Sequence, residues 1–227
     1  MLYVFDCDGV LIDSEIIASA VDSELLAEVG YAITPQDVTH RFAGLTARAI
    51  GDIVETETGR KLPDDLFRRT KEEIDRRLAR DLKAVAGVQT MLDRLEGQKR
   101  CVCSNSSMQR LKLSLDKTRL WDRFAPRVYS ATEVGNFQPK PAPNVYLYAM
   151  EQFGADPRET VVLEDSAFGV MAAKAAGARV IGFTGGAHTW PGHAEMLTDA
   201  GAETVINRLI DLPATADALL AWEGLVD

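Results

Sequence analysis

The chain has 227 residues, 46% hydrophobic and 26% charged, and its 34 acids against 25 bases give a formal net charge of -9. Such a length suits a core domain carrying a smaller insertion, and the apolar share is enough to bury a substantial core. The acidic balance argues against a broad nucleic-acid footprint, and no window approaches the roughly 18 uncharged apolar residues of a membrane helix.

The first strand is predicted over LYVFD at 2–6, where Asp6 interrupts an apolar run too short and too poor in basic residues for an export signal. Residues 15 to 83 then read as helices. The first runs from near Ser14 to Val29 and stops at Gly30, a natural residue just past a helix end. Thr34-Pro35-Gln36-Asp37 opens the second, with Thr34 as N-cap, Pro35 at the first helical position and an acid two residues on. The third spans about Thr46 to Glu57, and Pro63 opens a fourth that ends near Arg80.

Beyond them the rhythm changes. Strands are predicted at 100–106, 127–131, 160–166, 178–184 and 203–207, alternating with helices at 88–96, 106–117, 142–154, 167–176 and 192–200. Nearly unbroken apolar runs of this kind suit strands covered on both faces, and the alternation points to right-handed βαβ units. The predicted fold is α/β, a Rossmann-like parallel-sheet core formed by 1–14 and 84–227, with an all-helical cap, 15–83, inserted after the first strand. Cys7, Cys101 and Cys103 lie in its apolar strand runs, as buried free thiols of a reducing compartment do, so a cytoplasmic protein is expected.

The chemistry-bearing residues gather at the predicted strand ends: Asp6 and Asp8 after the first, Ser104-Asn105-Ser106 after the second, Glu164-Asp165 after VVL, and Lys140 in the loop QPKPAP. The carboxyl ends of an open parallel sheet line one crevice, so these groups can converge. Several carboxylates in one cleft repel each other unless a cation is present, and oxygen-only ligands favour a hard ion such as Mg²⁺. A phosphoryl group would complete the site, with Lys140 and the Ser104 hydroxyl offsetting its charge. A carboxylate fixed against phosphorus can act as nucleophile and a second acid can protonate the leaving alcohol. Gly9 lets the chain turn sharply behind them.

In their order, DCDGVLIDS, SNS, KPAP and LEDSAFGV resemble the four motifs of the haloacid dehalogenase superfamily, and the inserted helices resemble its type-1 cap. The resemblance implies Asp6 as nucleophile, Asp8 as general acid/base, Ser104 as a phosphoryl ligand and Lys140 as the bridge between nucleophile and phosphate. It implies a Mg²⁺ site built from Asp6, the backbone carbonyl of Asp8, and Asp165, assisted by Glu164. Gly9 and Asn105, with Gly44, Thr46 and Arg48 from the cap, are candidate phosphate or substrate contacts.

Single residues select the branch. Asp8 disfavours dehalogenases and phosphonoacetaldehyde hydrolases, and the first cap helix has Ala18 near where β-phosphoglucomutase-like proteins place a histidine. The expected activity is Mg²⁺-dependent hydrolysis of a small phosphorylated metabolite, a sugar or sugar-acid phosphate, by a monomer or dimer without nucleic-acid or membrane partners. The alternatives are a phosphomutase and a non-catalytic phospho-ligand binding module. Asn144 is expected to cap the helix after KPAP, Arg68-Arg69-Thr70-Lys71 to form a solvated helix face, and His188 and His193 to be loop histidines.

Overall fold

The computed structural model describes residues 1–42, 45 and 47–223, excluding the side chains of Trp222 and Glu223. Gly44 and Thr46, two of the candidate contacts, lie outside the described residues.

Six strands form one parallel sheet: β1 (Leu2–Phe5), β2 (Lys99–Ser104), β3 (Val128–Ser130), β4 (Thr160–Glu164), β5 (Arg179–Phe183) and β6 (Thr204–Ile206). Their spatial order is β3-β2-β1-β4-β5-β6, so the direction of winding reverses at β1. Ligands of open α/β sheets bind at such a reversal, off the carboxyl ends of the strands. Phe5 pairs with Val102 on one side and Leu163 on the other, which brings the following residues Asp6, Cys103 and Glu164 level with one another. The amide of Asp6 donates to Leu163 O at 3.0 Å and continues that register.

Side chains alternate across the sheet, and helices cover both faces. Tyr3, Phe5, Val102, Leu163 and Ile181 pack against α5 (Val88–Arg94), α6 (Met108–Lys117), the short α7 (Trp121–Phe124) and α11 (Leu212–Glu223). Leu2, Val4, Cys101, Cys103, Val162 and Val180 pack against α8 (Asn144–Phe153), α9 (Ala167–Ala175) and α10 (His193–Ala200). This two-sided burial explains why the strands carry almost no polar alternation. The three cysteines are free and buried. The sequence reading contained no element at α7 or α11. In α11, LPATADALLAWE, small and apolar residues fall on most faces and blur the helical period.

Between β1 and β2 lie α1 (Glu15–Glu28), α2 (Pro35–Phe42), α3 (Ala47–Thr58) and α4 (Leu66–Asp81). They share a small apolar cluster of Val21, Leu25, Leu26, Val38, Phe42, Val54 and Leu66. Thr34 accepts from the Asp37 amide at 3.1 Å, the cap its position suggested. The chain enters and leaves this insert side by side: Asp13 N donates to Lys83 O and Val85 N to Leu11 O, each at 3.0 Å. Leu78, near the end of α4, is buried in the sheet's own core rather than in the insert's. Among the described residues, no helix is long and apolar enough to cross a membrane.

One local expectation needs correction. Asn144 is the first residue of α8, not its cap; its Nδ2 donates to Gln138 O at 2.6 Å, while Pro143 occupies the N-cap position without a side-chain bond. A side chain already inside the helix cannot reach forward to the free amides of the first turn.

Candidate active site

At the winding reversal, Asp6 leaves the end of β1 with its side chain 11% exposed. Lys140, buried, points its Nζ at Asp6 Oδ1 (2.5 Å), Glu164 Oε1 (2.6 Å) and the carbonyl of Cys103 (2.8 Å). One ammonium therefore fills all three of its hydrogen-bonding positions. Burial opposes its charge, but Asp6 and Glu164 outweigh it and hold the Lys140 pKa well above the usual lysine range. Burial drives the Asp6 pKa up, Lys140 opposes this, and the neighbouring carboxylates of Glu164, Asp165 and Asp8 push it further.

Glu164 is wholly enclosed. Besides Lys140, its Oε1 accepts from Tyr146 of α8 at 2.6 Å, and its Oε2 accepts from the Ser166 hydroxyl at 3.0 Å and, weakly, the Ser166 amide at 3.3 Å. The Lys140 loop is fixed by Asn105, whose Oδ1 accepts from the Lys140 amide at 2.8 Å and whose Nδ2 donates to the Lys140 carbonyl at 3.4 Å. Asn105 thus positions the lysine from the loop after β2.

The Asp8 carboxylate belongs to a different set. It accepts from the hydroxyls of Ser14 at 2.7 Å, Ser106 at 2.8 Å and Ser104 at 3.3 Å. Ser104 also accepts from the Ser106 amide at 2.9 Å, which tightens the turn after β2. Gly9 has φ of 76°, and its amide donates to Ile12 O at 2.8 Å, so its donor is engaged within the turn. Space matters as much there: a Cβ on residue 9 would lie 1.8 Å from Asp165 Oδ2.

Asp165 completes the group. Asp6, Glu164 and Asp165 each bring a carboxylate oxygen within 4.8 Å of the others, and all are buried. Two histidines expected to be plain loop residues pack onto Asp165 instead. His188 Nε2 stands 2.9 Å from its Oδ2, and His193, the first residue of α10, stands 2.7 Å from its backbone carbonyl. Trp190 stacks on the His193 ring at 4.0 Å and 7°, and His40 of α2 meets the same indole edge-on at 6.2 Å. Burial lowers the His193 pKa, and burial raises that of Asp165 against the pull of His188.

Three buried carboxylates thus converge around one ammonium, with the His188 imidazole at Asp165. Their donors are all oxygen. That set fits a hard divalent cation.

Sequence reasoning gave Ser106 no role of its own and missed Ser14, Tyr146, the Asp165 contacts of His188 and His193, and also Glu15. Burial, with Asp8 and then Asp165 adding to it, pushes the Glu15 carboxyl up to about 7. Its place directly after the Asp8-to-Ser14 turn was the available signal.

The four motifs and the fold that assembles them are those of a known family. The haloacid dehalogenase-like hydrolase family matches this chain over residues 3–183. The chain belongs to that family. It is 28% identical over 188 residues to a 6-phosphogluconate phosphatase of Escherichia coli K12, covering 82% of this chain and 84% of that one. A haloacid dehalogenase-like protein of unknown function from Agrobacterium tumefaciens C58 superposes with TM-score 0.92 at 50% identity, covering 96% of this chain and 98% of that chain. A haloacid dehalogenase family hydrolase from Deinococcus radiodurans R1, solved with phosphate and sodium, gives 0.83 at 30% identity, covering 96% of each. As a haloacid dehalogenase-like hydrolase the chain is an enzyme.

A cavity of about 870 Å³ separates the insert from the core beside this site. Its core edge includes Asn105, Ser107 and Arg110, and its insert edge includes Asp22, Ile50, Phe67 and Lys71. Arg48 lines a separate shallow hollow with Asp52, Glu55 and Phe67. Of the basic run of α4, expected as a solvated face, Arg68 is exposed, whereas Thr70 and Lys71 line the cavity. Arg68 bonds Glu72 at 3.0 Å, Arg69 bonds Glu28 at 2.5 Å and Lys71 bonds Asp75 at 3.0 Å.

Proposed function

We propose that this hydrolase cleaves the phosphate monoester of a small phosphorylated metabolite, a sugar or sugar-acid phosphate, through an aspartyl-phosphate on Asp6. The observation that carries the reading is the Asp6 carboxylate held by Lys140 at 2.5 Å, with Asp8 held apart from that network by serine hydroxyls. One carboxylate is pinned in place by charge and the other by neutral donors. That is the division of labour expected between a nucleophile and a proton carrier.

In this reading an Asp6 oxygen attacks phosphorus, the phosphorus–ester oxygen bond breaks, and Asp8 gives the departing alkoxide a proton. Asp8 then takes a proton from water as the water oxygen attacks phosphorus. The bond to Asp6 breaks and phosphate leaves. Lys140 keeps Asp6 aimed and balances the incoming phosphoryl charge, and the Ser104 hydroxyl would turn from Asp8 to bond a phosphoryl oxygen.

Asp6 and Asp165 would hold Mg²⁺ together with the backbone carbonyl of Asp8, and Glu164 would support them. When bound, the ion would neutralise the phosphoryl group and polarise phosphorus. We further propose that the insert, 15–83, acts as a cap over the core, 1–14 and 84–227, and excludes water when it closes. The substrate of the Escherichia coli relative supports a phosphorylated sugar acid as one member of the class.

The test is phosphate release from a panel of sugar, polyol and sugar-acid phosphates with Mg²⁺ or EDTA, beside Asp6→Asn. Activity lost in EDTA and restored by Mg²⁺, and reduced by about 10⁴-fold or more in the variant, is the expected result. A folded protein that releases phosphate from none of the panel would overturn it.

A further inference from the structure

We propose that His188 and His193 are positioning residues that clamp Asp165 for metal binding from the glycine-rich loop after β5. The inference rests on the reading of Asp165 as a metal ligand. The two imidazoles take different atoms of one residue: His188 addresses a carboxylate oxygen at 2.9 Å and His193 the main-chain carbonyl at 2.7 Å. Side chain and backbone are thereby fixed together.

The tautomer of His193 follows from its partners. A carbonyl oxygen only accepts, so the His193 Nε2 carries the proton, and its Nδ1 accepts from the Thr189 hydroxyl at 2.9 Å. Thr189 thus orients His193, which in turn orients Asp165. Such relays, in which an outer group fixes an imidazole or a carboxylate, commonly set the geometry of a metal ligand.

His188 is fitted rather than merely nearby. A Cβ on Gly9 would lie 2.8 Å from its Cε1, and a Cβ on Gly186 would lie 2.8 Å from its Nδ1 and 2.7 Å from the Gly9 carbonyl. Side chains at either position would exclude the ring from the gap it fills. The side chain is 5% exposed, and among the described residues its Nδ1 has no hydrogen-bond partner. A histidine kept only for packing would have no need to bring an imidazole there; the one contact this ring makes through a nitrogen is to Asp165.

The test measures Mn²⁺ binding to the resting full-length protein by the resonance signal of the free ion, with melting curves as the check on folding. It also measures KM and kcat for phosphate release on the best ester of the panel. His188→Leu fills the space without an N–H group and is expected to raise the Mn²⁺ Kd by about 10–100-fold. His188→Gln, with a donor at similar reach, is expected to stay within about threefold of native, with KM at saturating metal unchanged in both.

A His188→Leu protein that melts like the native one and binds Mn²⁺ equally well would sink the clamp, as would a Gln variant as weak as the Leu one. Should His188→Leu not fold, Thr189→Val carries the test. It removes the hydroxyl behind His193 and is expected to raise Kd by about threefold, and an unchanged Kd overturns the proposal. A native protein that binds no Mn²⁺ removes the metal reading itself and the clamp with it. Native-like binding in the variants removes the clamp alone and leaves the phosphatase reading standing.

Discussion

Lys140 lies 3% exposed between Asp6 and Glu164, while Lys71 of the insert, 72% exposed, reaches Asp75 one helical turn away. The two regions use charge for different ends. Around Lys140 the ionic groups are enclosed and bonded on every side, unlike the exposed pairs on the core's own surface such as Lys112–Asp116, so losing one leaves its partners stranded in low dielectric. On the insert, Arg68, Arg69, Lys71 and Arg76 form exposed pairs that water can replace. The insert coheres instead through its apolar cluster around Val21, Phe42, Val54 and Leu66. The proposed capping role suits this contrast: rigid polar bonds at the chemical centre, and weak surface pairs over a small greasy core in the insert.

The contrast breaks most sharply at Lys140. Lys140→Met keeps most of the volume but leaves Asp6 and Glu164 facing each other without the ammonium. Urea unfolding in EDTA at pH 7 should show a loss of about 3–5 kcal/mol, with phosphate release abolished. A loss below about 1 kcal/mol would put Lys140 in the same class as the surface pairs.

Asp22 tests whether the insert also contains a group that behaves like the core. Burial raises its pKa from 3.8 to about 6. The folded protein therefore holds this proton where the unfolded chain has released it, and stability falls as pH rises from about 4 to about 6. Asp22→Asn escapes that loss. It should be more stable than the native protein by on the order of 2 kcal/mol at pH 8, a gain that vanishes below about pH 4. Equal gains at both pH values would show that the effect is not ionisation.

The smallest effect is expected where the regions meet. Arg110 of α6 bonds Asp75 of α4 at 2.5 Å, with side chains 30% and 41% exposed. Arg110→Ala should change stability by only about 0–1 kcal/mol. A larger loss would mean that this bridge, and not the apolar contacts of Leu78 and its neighbours, ties the insert to the sheet.

Much of the core was legible because its information is local. The strands β1, β2 and β4, four to six residues long, run into acids and small polar residues, and the parallel sheet carries those ends to one edge. Asp6, Asp8, Lys140, Glu164 and Asp165 could be read from that logic before their distances were known. What escaped notice depends on contacts that no short window contains. His188 lies 23 positions beyond Asp165 in the sequence, and its value arises from the gap that Gly9 and Gly186 leave open. The glycine pair before it permits a close approach, but a glycine does not say which side chain will enter. Likewise Ser106 looked equivalent to its neighbours, although its hydroxyl meets Asp8 more closely than that of Ser104. Helix α11 was missed for the opposite reason, since a segment apolar on most faces has no period to detect.

Trp190 also has a consequence for how the protein can be watched. Its indole is stacked on His193 and touched at the edge by His40 of α2. Trp121, by contrast, lies beneath the Lys112 ammonium at 4.5 Å. A change in the distance between α2 and the glycine-rich loop alters the polarity and ring contacts around one natural fluorophore. The protein therefore carries its own optical gauge of that gap, and stopped-flow emission, with Trp190→Phe as the blank, would test the proposed cap closure in real time without any attached dye.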